Sequence, residues 1–223
     1  MLPTSSPTPR KPTRWVGLPA EDRRAERRTL LLDAAFELLG SEGWAGTTVR
    51  AVCHQARLNP RYFYESFDDL DALIVAVYDR LVEELRAKVV EAVEAAADEP
   101  RAQIRASLET LLRFVDEDSR RGRVLYVEAL GNEKLNRRRI DTGLALVGLV
   151  EQSGIDRHGA PRTGERIGRL TAAIIVGGAA ELVVAWLDGR LDVDRDLLID
   201  DATELFLALG DTAADIAVRR ARR

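Results

Sequence analysis

The sequence predicts an all-α protein. Apolar residues recur three and four positions apart along most of its 223 residues, period-two alternation is nearly absent, and glycine and proline gather in a few short stretches. The first pattern lays apolar side chains along one helix face, the second denies a half-buried strand, and the third marks the breaks. With 46% hydrophobic residues the chain can bury a proper core. About nine helices are expected: an N-terminal three-helix unit containing a helix-turn-helix, then a C-terminal helical bundle.

Residues 1–20 carry five of the eight prolines together with Arg10, Lys11 and Arg14, and are expected to form a disordered arm. A first helix is expected from about Asp22 to Gly40, with Leu31, Ala35, Leu38 and Leu39 on one face and Gly40 and Gly43 ending it. Trp44 follows as a core plug. Thr47 or Thr48 can cap the next helix, because a hydroxyl oxygen accepts an orphan backbone N–H, and Val49, Val52 and Cys53 share one face of it. Asn59 is the next cap. Pro60 fits the first helical position, where its missing N–H costs nothing. Two short helices meeting at a tight turn, within about 47–66, make a helix-turn-helix, whose second helix offers its N-terminal residues to base edges in the major groove.

Asp68 or Asp69 caps a long helix reaching about Ala96, with Leu70, Leu73, Ile74, Val77, Leu81 and Leu85 as its stripe. Further helices are expected at about 101–117, 122–130, 133–152, 163–188 and 195–218. The loops between them hold Gly131-Asn132, Gly154 to Pro161, and Gly189 to Asp194. Asp192, Asp194 and Asp196 mimic the opening of a calcium loop. Leu197 and Thr203 stand where glycine and glutamate are required, so these aspartates are read as helix caps.

Residues from about 23 to 78 resemble the DNA-binding domain of the tetracycline-repressor (TetR) family of bacterial transcriptional regulators. The matching stretches are LLLDAAFELLGSEGWAGTTVRAV from Leu30, LNPRYFY from Leu58, Phe67, and DDLDAL from Asp68. Two positions depart from the family pattern. Arg57 stands in the turn where glycine is usual, which places a Cβ where positive φ is called for, at a cost of about 1 kcal/mol. Leu70 stands near the start of the fourth helix where lysine is usual, which removes a phosphate contact.

The resemblance implies a homodimeric, ligand-responsive repressor. Residues 21–67 would bind double-stranded operator DNA, and residues 68–223 would dimerise and enclose a pocket for a small-molecule effector. The effector would favour a spacing of the two reading heads that no longer matches half-sites about 34–36 Å apart.

Charge agrees with that polarity. The net charge is −4, yet residues 1–67 carry a net +3 and residues 68–223 a net −7. The positive part would turn toward phosphates and the acidic body away. A single cysteine, Cys53, excludes an intramolecular disulfide and suits a reducing cytoplasm. No basic-then-apolar leader opens the chain, and the apolar run from Leu170 to Trp186, broken by Thr171 and Glu181, reads as short for a membrane span. A cytoplasmic protein with no membrane partner is expected. No P-loop, H-E-x-x-H, G-x-S-x-G or zinc-spaced Cys/His pair occurs, and there are only two histidines, so no enzyme, cofactor or metal is expected. The competing classes are an all-α enzyme and a protein-interaction module on the same scaffold.

Arg61 and Tyr62, on the first turn after Asn59-Pro60, are the base-reading candidates, since arginine can grip guanine O6 and N7 in a bidentate contact. Tyr64 resembles the family tyrosine that hydrogen-bonds a phosphate. Thr47, Thr48 and Arg50 sit where the first helix of the motif meets the backbone. Arg27 and Arg28 belong to a cluster with Arg23 and Arg24 along one side of the first helix, either a solvated face paired with Glu21, Asp22 and Glu26 or a phosphate contact. Tyr78, Phe114, Tyr126 and Glu181 are candidate pocket residues in the body. The helix over 163–188 is apolar nearly all round, so it must be covered on every side. Packing against its copy in a second subunit is the economical solution, with Gly178, Ala179, Val183, Leu198, Leu205 and Phe206 as candidate interface residues.

Overall fold

The computed structural model describes residues 19–158 and 165–222. Arg10, Lys11 and Arg14 of the expected arm, and residues 159–164 of the expected loop, lie outside them. Among the described residues there is no strand. The helices are α1 (Ala20–Gly46), α2 (Val49–Ala56), α3 (Pro60–Tyr64), α4 (Leu70–Ala95), α5 (Pro100–Glu117), α6 (Ser119–Gly122), α7 (Glu133–His158), α8 (Glu165–Leu187) and α9 (Arg195–Ala221). A π-helical turn, Arg123–Val127, and a 3-10 turn, Glu128–Leu130, connect α6 to α7.

Caps set several of these starts. Asp69 Oδ1 accepts from Ala72 N–H at 2.7 Å and opens α4, and Asp194 Oδ1 accepts from Asp196 N–H at 2.8 Å and opens α9. Each satisfies one of the four orphan donors of a helix start, and each carboxylate faces the positive end of the helix dipole.

α1, α2 and α3 pack into a head, and α4 to α9 into a body. A single apolar cluster spans both. It runs from Leu31, Leu39, Val52 and Phe63 through Leu73 and Val77 of α4 to Leu112, Val183 and Ala202. α4 joins the two because it packs on α1 at one end and on α5 and α7 beyond. Along the outside, α9 is tied to α5 by the pairs Arg101–Glu204, Arg105–Asp200 and Arg195–Asp116.

Three boundaries differ from the sequence expectation. α1 continues through Gly40 and kinks only at Gly43, where φ is +73°. Gly40 is instead a close-approach site, since a Cβ there would stand 2.6 Å from Arg120 Cβ. The expected helix over 122–130 breaks into α6 and the two irregular turns. Gly122 lies at that break with Leu187 pressed against it, and a Cβ would meet Leu187 Cδ1 at 2.5 Å. α7 runs on to His158, past Gly154, where the sequence suggested a loop.

α8 is apolar enough and, over Arg166–Leu187, long enough to cross a membrane by length and composition, contrary to the sequence reading of its length. Within the chain it packs on α7 and α9. Its inner face carries Ala172 and Val183, both buried. Its outer face is not covered: Leu170 is 55% and Ile174 59% exposed, with Gly177 and Glu181 following in register.

Candidate functional site

α2 begins at Thr48, whose Oγ1 accepts from Ala51 N–H at 3.1 Å. Arg57 closes α2 in the left-handed conformation, with φ 55° and ψ 40°. The N–H of Leu58 then donates to Cys53 O at 2.9 Å, which turns the chain sharply into α3. Asn59 Oδ1 accepts from Arg61 N–H at 2.9 Å, and Pro60 takes the first helical position. The caps and the turn thus follow the sequence reading, positive φ at Arg57 included.

One face of α3 is anchored by Phe63, which is fully buried and meets Phe67 at a ring distance of 6.0 Å. Burying such a ring stabilises the head by about 1.5–3 kcal/mol. The opposite face points outward with Asn59, Arg61 and Tyr64, flanked by Thr48 and Arg50 of α2. The side chain of Arg61 is 82% exposed and donates from Nε to Glu65 at 3.0 Å.

Two candidates are turned away from that surface. Thr47 is 2% exposed, and its hydroxyl donates to Gly43 O at 2.8 Å, so it ties down the kink in α1 rather than facing solvent. Tyr62 is half-buried beneath Arg27, whose guanidinium stands 4.5 Å from the ring centre. Arg27 also pairs with Glu65 at 3.6 Å, Arg24 donates to Glu65 O at 2.6 Å, and Arg28 lies 4.8 Å over the Phe67 ring. Arg24, Arg27 and Arg28 therefore fasten α1 to α3 and the turn after it. Leu70, the departure from lysine, is partly buried against the core, and Lys134 of α7 reaches Asp69 and Asp71 at 3.0 Å each.

Head and body meet through a second set of contacts that sequence reasoning missed. Arg123 donates to Glu128 at 2.8 Å and to Ser41 O at 2.9 Å. Glu128 accepts the backbone N–H of Trp44 at 2.9 Å, beside the kink at Gly43. Arg120 bridges Glu37 of α1, at 2.5 Å, and Asp118, at 2.8 Å. No local pattern signals the contacts that cross from body to head, Glu128 to Trp44, Arg120 to Glu37 and Arg123 to Ser41, because their partners are 84, 83 and 82 residues apart.

Inside the body a cavity of roughly 620 Å³ lies between α4, α5, α7, α8 and α9. Tyr78 and Tyr126 line it as expected, joined by Arg139 and Thr142 of α7. The phenol of Tyr78 lies against the Thr142 hydroxyl, and burial holds both tyrosines above the usual phenol range, so they stay protonated donors at neutral pH. Phe114 does not line it; buried under Arg121 at 4.4 Å, it borders a separate groove between α4 and α5. Glu181 is exposed on the outer face of α8. Arg139, which the sequence analysis did not single out, stands in helical register with Thr142, Leu146 and Val150 along the face of α7 that lines the cavity.

The candidate interface residues divide. Leu205 is 66% exposed. Val183 and Leu198 are buried in the chain's own core, so no partner helix can reach them. Ala179 and Phe206 line the cavity, and Gly178 packs against the Phe206 ring. The helices are where the sequence placed them, with these side chains rotated inward by neighbours in the same chain.

The family model for bacterial regulatory proteins of the tetR family matches residues 31–77. The HTH-type transcriptional activator FasR of Mycolicibacterium smegmatis is 24% identical over 187 residues, covering 81% of this chain and 81% of its own. The HTH-type transcriptional regulator BetI of Rhizobium meliloti is 30% identical over 160 residues, covering 68% of this chain and 75% of its own. The crystal structure of the transcriptional regulator FadR from Bacillus subtilis in complex with stearoyl-CoA shares the fold. It aligns with a TM-score of 0.65 and 18% identity over 80% of this chain and 96% of that one.

Proposed function

This chain belongs to the TetR family of bacterial regulatory proteins and is a DNA-binding transcriptional regulator, and we propose that it works as a homodimeric repressor released by a small molecule held in the body cavity. The observation that carries the DNA-reading part is the division of α3 into a buried face, Phe63, and an outward face of Asn59, Arg61 and Tyr64. Arg61 reads a base edge, and Thr48, Arg50, Tyr64 and Arg28 contact phosphates, which set register and orientation without reading sequence. Arg27 and Tyr62 hold α3 at its angle.

Dimerisation supplies the second reading head. The uncovered outer face of α8, with Leu170 and Ile174, and the exposed Leu205 of α9 support an isologous helical interface. Residues 21–67 are the reading domain and residues 68–223 the effector and dimer domain, with α4 common to both.

Fluorescence anisotropy on duplexes from upstream of its own gene tests this reading. Saturable binding that competes poorly with unrelated DNA, and that weakens when a ligand fills the cavity, is the expected result. Equal affinity for all duplexes would overturn specific recognition, and a filled cavity with unchanged affinity would overturn the effector role.

A further inference from the structure

We infer that the body cavity takes a long-chain carboxylate, held at its head-proximal end by Arg139. The inference rests on the cavity being the effector site, and it names the class of molecule.

The cavity is long and polarised. Its lining runs from Tyr78 to Val93 on α4 and from Arg139 to Gly154 on α7. At 1.5 Å per residue each wall is about 22 Å long. Between those ends the walls are apolar, with Val82, Leu85 and Val89 on one side and Leu146, Val150 and Val176 on others. An extended alkyl chain advances about 1.25 Å per carbon, as a C–C bond near 1.5 Å requires, so the length suits about sixteen carbons.

Arg139 sets the charge of the occupant. It is the last of three consecutive arginines, and the first two have carboxylate partners: Arg137 with Glu133 at 3.1 Å and Arg138 with Asp79 at 2.6 Å. Arg139 has no acidic partner among the described residues. Its Nε is buried without a hydrogen bond, and its remaining contact is to Asn136 Oδ1 at 3.5 Å. A guanidinium that lines a cavity with its Nε buried and unbonded and no counter-ion is costly, and a carboxylate answers it with two parallel charge-assisted hydrogen bonds. The phenols of Tyr78 and Tyr126 stand beside it as further donors, whereas the Thr142 hydroxyl already donates to Arg138 O at 3.0 Å. Farther along the walls comes Glu151, which would repel an anion. Arg86 also borders the cavity, but both arms of its guanidinium are held by Glu83, at 2.8 and 2.6 Å. The negative end of the occupant therefore faces the head, and its tail lies along the slot. An alcohol of the same length lacks the charge that Arg139 requires, and an acyl-coenzyme A has a neutral thioester at the chain end and carries its charge on phosphates far beyond it.

Calorimetric titration of the full chain with palmitate, hexadecanol and palmitoyl-coenzyme A tests this, on the natural protein and on Arg139→Gln and Tyr78→Phe. The natural protein should prefer palmitate to hexadecanol by roughly 10- to 100-fold, the strength expected of a charge-assisted pair. Arg139→Gln should erase the preference and leave hexadecanol binding unchanged. Should Arg139→Gln fail to fold by circular dichroism, Tyr78→Phe carries the test, with a loss of roughly fivefold for palmitate alone. No binding of palmitate, equal binding of the alcohol or the thioester, or an undiminished preference in either folded variant overturns the assignment. Operator release is read in parallel. Palmitate that binds without releasing DNA overturns the effector role and leaves the anchor standing, whereas release by another compound with no palmitate binding does the reverse.

Discussion

The carboxylate of Glu128, in the body, accepts the backbone N–H of Trp44, in the head, at 2.9 Å. Glu128 follows the π-helical turn that carries Tyr126 to the cavity wall, and Arg123 at the start of that turn holds the same carboxylate. A ligand pressing on Tyr126 thus acts on a segment bonded directly to the α1 kink. Glu128→Ala should leave operator affinity in the free state within a few-fold. It should reduce the ligand's effect on that affinity by about 0.5–2 kcal/mol. Operator titrations with and without ligand give the coupling, and full coupling in the variant would rule out this route.

Arg61→Ala and Tyr62→Ala should differ in kind. Arg61 is exposed and held only by its surface pair with Glu65, which it can exchange for a base edge, so its loss should cost about 1–3 kcal/mol at one operator position and relax the preference there. Tyr62 sits under Arg27, so its loss, like that of Arg27, should weaken binding to all sequences by loosening α3. Affinities across single-base operator variants separate the two. A uniform loss for Arg61→Ala would remove it as the base reader.

Ile174→Arg places a charge on the outer face of α8 and touches no buried neighbour. It should give a folded monomer with much reduced operator affinity, because one head grips one half-site. Ala179→Arg, the substitution the helical pattern alone suggests, would instead intrude on the cavity. Sedimentation and circular dichroism report assembly and folding separately, and a dimeric Ile174→Arg would place the interface elsewhere.

Arg57→Gly should relieve about 1 kcal/mol of strain, since glycine holds φ near +55° without a Cβ contact. Greater freedom of glycine in the unfolded chain offsets about 0.4–1 kcal/mol of this, so a net gain of about 0.5 kcal/mol or less is expected. Urea midpoints decide, and a lower midpoint would show that Arg57 is not strained.

Asp118 is held below the usual carboxylate range, chiefly by the side-chain hydrogen bonds from Arg120 and also by the Arg120 N–H. Its contribution is therefore present above the unfolded value, near 4, and lost as pH falls through the lower folded value. Because the pair is partly exposed, Asp118→Asn should destabilise by only about 0.5–1 kcal/mol at pH 7. The difference should vanish toward pH 2. A constant deficit at both pH values, by urea denaturation, would mean that the carboxylate charge is not the cause.

Local chemistry made much of this protein legible. Asn59-Pro60 and Asp69 announce helix starts because the orphan N–H groups they answer lie two or three residues away. The apolar stripe Leu73, Ile74, Val77 and Leu81 is buried as its spacing requires. The left-handed turn at Arg57 was implied by the family resemblance, in which glycine is usual at that position.

What the sequence determined by itself is the all-α class and the helix-turn-helix, since hydrogen bonds within each helix and caps beside it settle these. Tertiary structure decided the direction of individual side chains. Thr47 and Thr48 are adjacent and equally able to cap, yet one is buried at the α1 kink and the other opens α2. Val183, Leu198 and Phe206 read as an outer stripe, and turn inward because α5, α7 and the cavity occupy that side. Arg139 differs from Arg137 and Arg138 only in its angle around α7. That angle is set by packing against α4 and α8, which are distant in the chain, and no short-range pattern records it.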